Sequence, residues 1–450
     1  MGELFGTDGI RGQTNIYPIV PEVALQLGKA IASVFDTGDA SRGCALIGKD
    51  TRLSGDMLET ALTSGLISAG MNVFLVGPVP TPAVAYLTRC MNATVGVMLT
   101  ASHNSFDDNG IKIFDSGGFK LPDQVEARIE QLLIGETLES DHIRSDQLGK
   151  ARRFEDACGN YVEYAKTTIG NQNLSGLKVV LDCANGASYV VGPGIFSALG
   201  VDVVETAVEP DGFNINNECG ALHPETISRL VRRHGADLGI AFDGDADRVV
   251  FCDSDGEVVD GDRILAMCAL DYKRRDRLSH DTLVVTILTN LGLHEAMKAN
   301  KIRVVTTTVG DRYVIEKMRS NGYNLGGEKS GHIIFMDHAT TGDGIISALQ
   351  VLKLMKESGK PLIELTACMD TFPQKLISLD VREKRPLEEV PRLSEAVGEC
   401  QVALGEQGRV LIRYSGTEKK IRLLVEAKEE EQVQRWTDAL ATVIRQELGT

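Results

Sequence analysis

Apolar and polar positions alternate along this chain in two rhythms. From Pro21 to Phe35 the apolar residues fall at helical spacing, and a short apolar run follows around Cys44–Ile47. Ser54 reads as the N-cap of a second helix running toward Ala69. Asn72–Val76 then reads as a strand, Pro82–Cys90 as a helix and Thr94–Leu99 as a strand. Such alternation predicts a mostly parallel sheet with crossover helices. The grammar returns twice. Leu177–Asp182 and Val201–Val204 are strand-like, with a helix between them and another from Pro224 to about His234. Thr282–Leu288 and Ile302–Thr306 follow, separated by a helical stretch near Leu291–Ala299.

Each of the three units ends alike, in an apolar strand, a polar loop and a second apolar strand. The loops are Thr100–Gly110, Asp243–Arg248 and Gly327–His332, left by Ile111–Phe114, Val249–Cys252 and Ile333–Met336 respectively. The tail differs: strand-like Leu376–Val381, helical Val390–Cys400, Arg409–Tyr414 and Ile421–Ala427 around a polar turn, then an amphipathic helix from about Glu429 to Leu448. Its stripe of Val433, Trp436, Leu440, Val443 and Ile444 predicts core packing. The expected fold class is α/β, with three similar mixed-sheet α/β domains plus a smaller C-terminal α+β domain. Polar stretches at Gly135–Lys150 and Ser254–Gly261 suggest divisions at 1–150, 151–255, 256–367 and 368–450.

Composition narrows the function. Lys plus Arg is 47 and Asp plus Glu is 63, a formal charge of −16, so no nucleic acid and no anionic membrane is expected as partner. The nine cysteines include no C-x-x-C pair and suit a reducing compartment. With no signal-peptide pattern and no membrane-spanning apolar run, a cytoplasmic location is expected.

Asp243-Gly-Asp-Ala-Asp-Arg248 is the sharpest local signal. Carboxylates at i, i+2 and i+4 would lie on one side of an extended backbone, and three negative charges there call for a cation. Oxygen-only ligands suit a hard divalent ion, Mg²⁺ first. An EF-hand is excluded, because Arg248 and Ser254 stand where Gly and Glu are required. A solvated acidic turn is the plainer alternative. In Thr100-Ala-Ser-His-Asn104, adjacent residues of an extended loop point apart, so His103 is expected to be badly placed as a base for Ser102. Gly327-Glu-Lys-Ser-Gly-His332 is no P-loop; it reads as a polyol-binding loop or a tight hairpin. Arg413-Tyr-Ser-Gly-Thr-Glu418, with Arg422 beyond it, combines hydroxyls, a glycine and two arginines into a phosphate cradle or an ordinary turn. Cys183 and Cys252 read as small buried residues.

Taken together, the loops resemble the α-D-phosphohexomutase superfamily. The residues that carry this are Gly6-Thr-Asp-Gly-Ile-Arg-Gly12, Thr100–Asn104 with Asp108-Asn-Gly-Ile-Lys112, Asp243–Arg248, Val309-Gly-Asp-Arg-Tyr313, Gly327–His332 and Arg413–Glu418. They span essentially the whole chain in the family's order. The first and fourth favour glucosamine phosphates over mannose or glucose phosphates. Ser105 and Lys419 stand where proline is common in the family.

The resemblance implies four domains around a central cleft and a phosphoserine at Ser102 that exchanges its phosphoryl group with a sugar phosphate. It implies one Mg²⁺ held by Asp243, Asp245, Asp247 and an oxygen of that phosphoserine. Arg248 would help hold the phosphate; Lys112 and His103 would sit near the reacting oxygens, with Lys112 the candidate general acid/base. Glu328, Ser330 and His332 would meet the sugar, and Arg11 the substrate. Arg413, Ser415, Gly416, Thr417 and Arg422 would hold the phosphate that is not reacting. A hexosamine 1,6-bisphosphate would serve as intermediate and activator, and a homodimer is one arrangement the resemblance allows. Competing readings are a phosphomannomutase or phosphoglucomutase of the same superfamily, a metal-dependent sugar phosphatase, and a non-catalytic sugar-phosphate sensor.

Overall fold

Each apolar run that the pattern marks as a strand finds partners in one of four sheets. The computed structural model describes residues 4–6, 8–35, 43–135, 143–415 and 419–449. The first sheet takes β1 (Phe5–Gly6), β2 (Gly9–Gln13), β3 (Cys44–Lys49), β4 (Asn72–Pro78), β5 (Val95–Leu99), β6 (Asp108–Asp115) and β7 (Ala151–Arg153), in the order β1-β2-β6-β5-β3-β4-β7. Its helices are α1 (Pro21–Val34), α2 (Gly55–Ser68), α3 (Thr81–Cys90) and α4 (Asp123–Ile134).

The second sheet holds β8 (Lys178–Asp182), β9 (Asp202–Thr206), β10 (Leu238–Phe242), β11 (Val249–Cys252) and β12 (Val258–Val259), ordered β12-β11-β10-β8-β9. With it go α5 (Ala157–Thr167), α6 (Val191–Ala198) and α7 (Pro224–His234). The third is β14-β13-β15-β16, built from β13 (Thr282–Thr286), β14 (Arg303–Thr307), β15 (Leu325–Gly327) and β16 (Ile333–Phe335). Here the helices are α8 (Gly261–Arg274), α10 (Asp311–Asn321), α11 (Gly344–Ser358) and α12 (Leu362–Thr366), while α9 (Leu291–Ala299) follows β13 in the chain.

One device recurs in all three sheets. β5, β10 and β15 each lie parallel to an inner strand, and the chain then reverses to pair antiparallel with β6, β11 and β16. The three chemistry-bearing loops are these reversals. The sheets are therefore mixed. Strands such as β5 and β10 are buried along their whole length, which is why they read as unbroken apolar runs.

The chain divides into two compact units. One runs to Leu288 and resumes over Asn300–Cys368; the other joins Thr289–Ala299 to the residues from Met369 onward. In the second unit, β17 (Gln374–Asp380), β18 (Gly408–Tyr414) and β19 (Lys420–Ala427) form an antiparallel sheet ordered β17-β19-β18. Helices α13 (Pro391–Leu404) and α14 (Glu430–Leu448) cover it, with Val433, Leu440 and Ile444 buried in its core and Trp436 and Val443 packed against them. Helix α9 joins this unit because the Leu291 N–H donates to the fully buried Glu426 carboxylate at 2.8 Å.

One expectation changes. Ser54 precedes α2 but caps nothing: its backbone is already helical, and its hydroxyl accepts from Asn109 Nδ2 at 2.8 Å. The α11 N-terminus has a true cap. The Asp343 side chain accepts from the Ile346 N–H at 2.8 Å, and its other oxygen takes the Tyr161 hydroxyl of α5 at 2.7 Å. Asp343→Ala removes that cap and strands a buried phenol, so it is expected to cost about 2–4 kcal/mol of stability. Tyr161→Phe should cost clearly less. Urea unfolding of the two variants beside the parent checks the order.

Candidate active site

The loop between β10 and β11 brings Asp243, Asp245 and Asp247 together, all three buried, with one carboxylate oxygen from each within 4.8 Å of the others. They do not converge by strand alternation, as the sequence suggests. The segment turns tightly, with the Ala246 N–H donating to the Asp243 carbonyl and Ala246 at φ +57°. Asp245 Oδ1 and Asp247 Oδ1 are buried and have no hydrogen-bond partner. Buried carboxylate oxygens seldom stay unpaired, and oxygens around one Mg²⁺ at about 2.1 Å lie no more than about 4.2 Å apart. The residues fit a small hard cation after a slight contraction.

Ser102 is 1% exposed, and its hydroxyl donates to Asp243 Oδ2 at 2.7 Å. The expectation that His103 points away is wrong. Ser102 sits at φ +54°, not in extended backbone, and this left-handed turn swings both side chains to one side. His103 Nδ1 lies 3.2 Å from Ser102 Oγ. Burial, with Arg248 and Arg11 nearby, pushes the imidazole down to about 4, so it is neutral at pH 7. Glycine at 244 makes the approach possible, since a Cβ there would lie 2.6 Å from the Ser102 carbonyl oxygen.

Lys112, on β6, is as buried as Ser102. Its ammonium reaches Asp245 Oδ2 at 2.8 Å, Asp247 Oδ2 at 3.0 Å and Asp8 Oδ2 at 3.2 Å. Burial alone would lower its pKa, but Asp245, Asp247 and Asp8 outweigh it and hold the group well above the usual lysine range. Asp8 binds Arg11 at 3.0 Å and also Lys120. Lys120 reaches Asp311 at 2.5 Å, and His332 lies 3.3 Å from Asp311 and 3.6 Å from Asp247. A ring of alternating charge therefore runs Asp247, Lys112, Asp8, Lys120, Asp311, His332 and back. It draws on all three α/β sheets. His332, which the resemblance places among the sugar contacts, is 2% exposed and turned into this ring. Burial works against its protonation, yet Asp311 and Asp247 raise its pKa overall.

Arg248 is less enclosed. Its N–H donates to Asp243 Oδ1 at 3.2 Å, and its Nε, 3.9 Å from Asp247, has no hydrogen-bond partner. Glu328 is half-buried, accepting from the Gly310 N–H at 3.1 Å; Ser330 is exposed at 3.5 Å from it. The loop that carries them is the tight β15–β16 hairpin, closed by Glu328 N–H on the His332 carbonyl. Lys329 pairs with Asp260, the cap of α8, at 3.5 Å.

Within the second unit, Arg413 and Arg422 are direct cross-strand partners on β18 and β19. Burial and the facing Arg422 both lower the Arg413 pKa. Like charges directly opposite are unfavourable, so this pair is poised for an anion. Ser415 is 3% exposed, and its carbonyl takes Lys384 Nζ at 2.6 Å. Gly416 and Thr417 lie outside the described residues.

Comparison with known proteins identifies the architecture. Four family models match in order, "Phosphoglucomutase/phosphomannomutase, alpha/beta/alpha domain I" over residues 2–139, domain II over 159–256, domain III over 260–372 and "C-terminal domain" over 376–443. A phosphoglucosamine mutase of Pelobacter propionicus is 50% identical over 450 residues, spanning 100% of this chain and 99% of its own. The chain belongs to the phosphoglucomutase/phosphomannomutase family. A phosphoglucosamine mutase of a Geobacter species matches equally, at 50% identity over 100% of this chain and 99% of its own. Among solved structures, a family protein of Burkholderia thailandensis superposes with a TM-score of 0.79 at 22% identity, covering 99% of both chains. An N-acetylphosphoglucosamine mutase of Aspergillus fumigatus, solved with GlcNAc-6P and magnesium, gives 0.67 at 19% identity, over 99% of this chain and 96% of its own. Among the described residues no helix is long and apolar enough to cross a membrane.

Sequence reasoning missed Asp8, Arg52, Thr81, Lys120, Asn216 and Asp311, although Asp8 and Asp311 stand inside quoted motifs. Thr81, fully buried, donates to Asp245 Oδ2 at 2.5 Å. Its only signal was a polar residue at the start of an apolar helix.

Behind the site, Asp182 accepts the Ala184 and Gly220 N–H groups at 2.8 and 2.9 Å and so ties the turn after β8 to the loop that holds Asn216. Burial pushes its pKa up to about 6. A raised carboxylate pKa favours folding at low pH, and that advantage is lost as pH rises through about 6. From pH 7 to pH 5 the parent should gain on the order of 1 kcal/mol over an Asp182→Asn variant. Denaturant unfolding of both proteins at the two pH values measures this; a constant gap contradicts it.

Proposed function

We propose that this chain interconverts glucosamine 6-phosphate and glucosamine 1-phosphate through a phosphorylated Ser102 and a glucosamine 1,6-bisphosphate intermediate. The reaction would supply the activated amino sugar needed for UDP-N-acetylglucosamine and cell-wall precursors. The full-length 50% identity to phosphoglucosamine mutases supports the substrate. The Ser102 hydroxyl, 2.7 Å from the acidic loop, is the observation that carries the chemistry.

The two reacting oxygens lie at opposite ends of one sugar, and a single serine must serve both. In the first transfer the bond from phosphorus to Ser102 Oγ breaks as the free sugar hydroxyl bonds to phosphorus, the hydroxyl's proton passing to neutral His103 and a proton from His103 passing to Ser102 Oγ. The sugar then turns over, and its other phosphate returns to Ser102. Phosphoryl transfer of this kind demands positioning and charge stabilisation more than covalent help. Magnesium held by Asp243, Asp245, Asp247 and a phosphoserine oxygen would supply part of that charge. Arg248, with its Nε unengaged, is suited to the transferring phosphate.

His103 and Lys112 divide the work. His103 is neutral at pH 7 with Nδ1 beside Ser102 Oγ, so it can take the serine proton when Ser102 receives phosphate and return it when Ser102 donates. Lys112, paired with Asp245, Asp247 and Asp8, stays an ammonium that offers positive charge rather than a lone pair. Glu328 and Ser330 are assigned to sugar hydroxyls and Arg11 to the substrate phosphate. Arg413, Ser415, Gly416, Thr417 and Arg422 are assigned to the phosphate that is not being transferred.

Ser102→Ala should lower mutase turnover by at least ~10³-fold while the thermal midpoint stays near the parent's. Parallel assays with glucosamine, mannose and glucose phosphates test the substrate, and a preference for mannose or glucose phosphate would reject the amino sugar. Arg413→Ala should raise KM about 10–100-fold, with kcat changed far less, because it removes a charge-assisted contact outside the reacting centre. Steady-state kinetics on the two variants separate the roles.

A further inference from the structure

The geometry points to a two-sided clamp, made by Arg52 and Asn216, that holds the Ser102 loop in its reactive shape; the two are positioning residues for phosphoryl transfer. This rests on the reading of Ser102 as the phosphoryl carrier.

Arg52 lies in the turn between β3 and α2, its side chain fully buried. One Arg52 nitrogen, Nη2, donates to the Ser102 carbonyl at 3.0 Å and the Asn104 carbonyl at 2.8 Å. The other, Nη1, donates to the Asp108 carbonyl at 3.0 Å and to the Ser105 carbonyl. Asp50 fixes the guanidinium through Nε at 2.8 Å and the Arg52 N–H at 3.0 Å. Asn216 comes from the loop between β9 and α7. Its Nδ2 donates to the same two carbonyls, Ser102 and Asn104, at 2.9 Å each. Its own backbone is anchored by its N–H on the Ala184 carbonyl at 2.9 Å.

A backbone carbonyl has two lone pairs, and here two carbonyls have both engaged by side chains from two different α/β domains. The residue between the donors is a serine at φ +54°. Non-glycine residues persist in that region only where the surroundings over-determine them. Neither clamp residue touches the Ser102 hydroxyl. They grip the backbone from the Ser102 carbonyl onward, and so aim Oγ at Asp243 and His103. Ser105 also finds its explanation here. The Arg52 grip on carbonyls 102, 104, 105 and 108 supplies the stiffness that proline would otherwise lend the loop.

A misplacement of about 1 Å can cost on the order of 100-fold in rate. Asn216→Ala, at a half-buried position, and Arg52→Lys, which keeps the charge but not the fork, test the clamp. The measurements are kcat and KM for glucosamine 6-phosphate, thermal midpoint, and phosphate loading of Ser102 from a hexose 1,6-bisphosphate, followed by intact mass. We expect kcat and loading rate to fall about 10–100-fold in Asn216→Ala, with KM within about threefold and the midpoint near the parent's. Arg52→Lys should show the same split. Unchanged kcat and loading in a folded Asn216→Ala overturns the clamp, as does activity that falls only in step with the folded fraction in both variants. A parent that neither turns over nor loads phosphate overturns the carrier reading, and the clamp with it.

Discussion

Everything around the Asp243 loop answers to one constraint: carboxylates taken out of water must be matched by positive charge. Asp243, Asp245 and Asp247 lie within one ligand sphere, and Asp8 and Asp311 lie close behind them. An isolated buried carboxylate is far too costly to keep ionised. The chain supplies Lys112, Lys120, His332, Arg11 and Arg248, arranged so that Asp245, Asp247, Asp8 and Asp311 each pair with at least one of them. This still leaves Asp243 poorly matched. Burial and the two neighbouring aspartates push it up to about 8, the sign of a cluster short of one cation. The same shortage accounts for the unpaired oxygens on Asp245 and Asp247.

The ring of charges also explains how three separate sheets make one site. Asp8, Lys112 and Lys120 belong to the first domain, Asp247 to the second, Asp311 and His332 to the third. Some pairs lie within one domain, as Asp8 with Lys112 and Lys120 or Asp311 with His332, but the ring closes only across domains, where Asp247 meets Lys112 and His332 and Lys120 meets Asp311. The repeated reversal of a parallel strand into an antiparallel one gives each domain a loop at the equivalent strand end, and the ring links those ends. Tyr161 on Asp343 adds a neutral tie between α5 and α11.

The strands and helices were legible because each one buries a continuous or periodic apolar face. Pro224–His234 and Leu291–Ala299 match their helices to the residue. The acidic triad and Ser102 were legible from their motifs. What was not legible depends on tertiary contact. Arg52 and Asn216 look like ordinary loop residues until they are seen gripping the same carbonyls. His103 was misjudged because a serine in left-handed backbone cannot be read from sequence; it is imposed by the clamp and by Gly244. Ser54 was misjudged because a serine before a helix is a cap only if its backbone is extended, and here it is not.

Two basic side chains at one site, His103 against Ser102 and Lys112 against the acidic loop, are easily read as interchangeable, but their surroundings separate them. Lys112 stands among three carboxylates and His103 beside two arginines. The first environment stabilises the charged form and the second destabilises it, so at neutral pH one is an ammonium and the other a free base. Exchanging their environments would leave a deprotonated lysine in an acidic cluster and a charged imidazole against Arg248, both unfavourable. The division of labour is therefore a property of the acidic loop itself. The carboxylates that can gather a cation also keep Lys112 charged, while burial, with Arg248 and Arg11 nearby, keeps His103 neutral. In the proposed reaction, charge stabilisation and proton exchange at Ser102 would fall to the same few side chains.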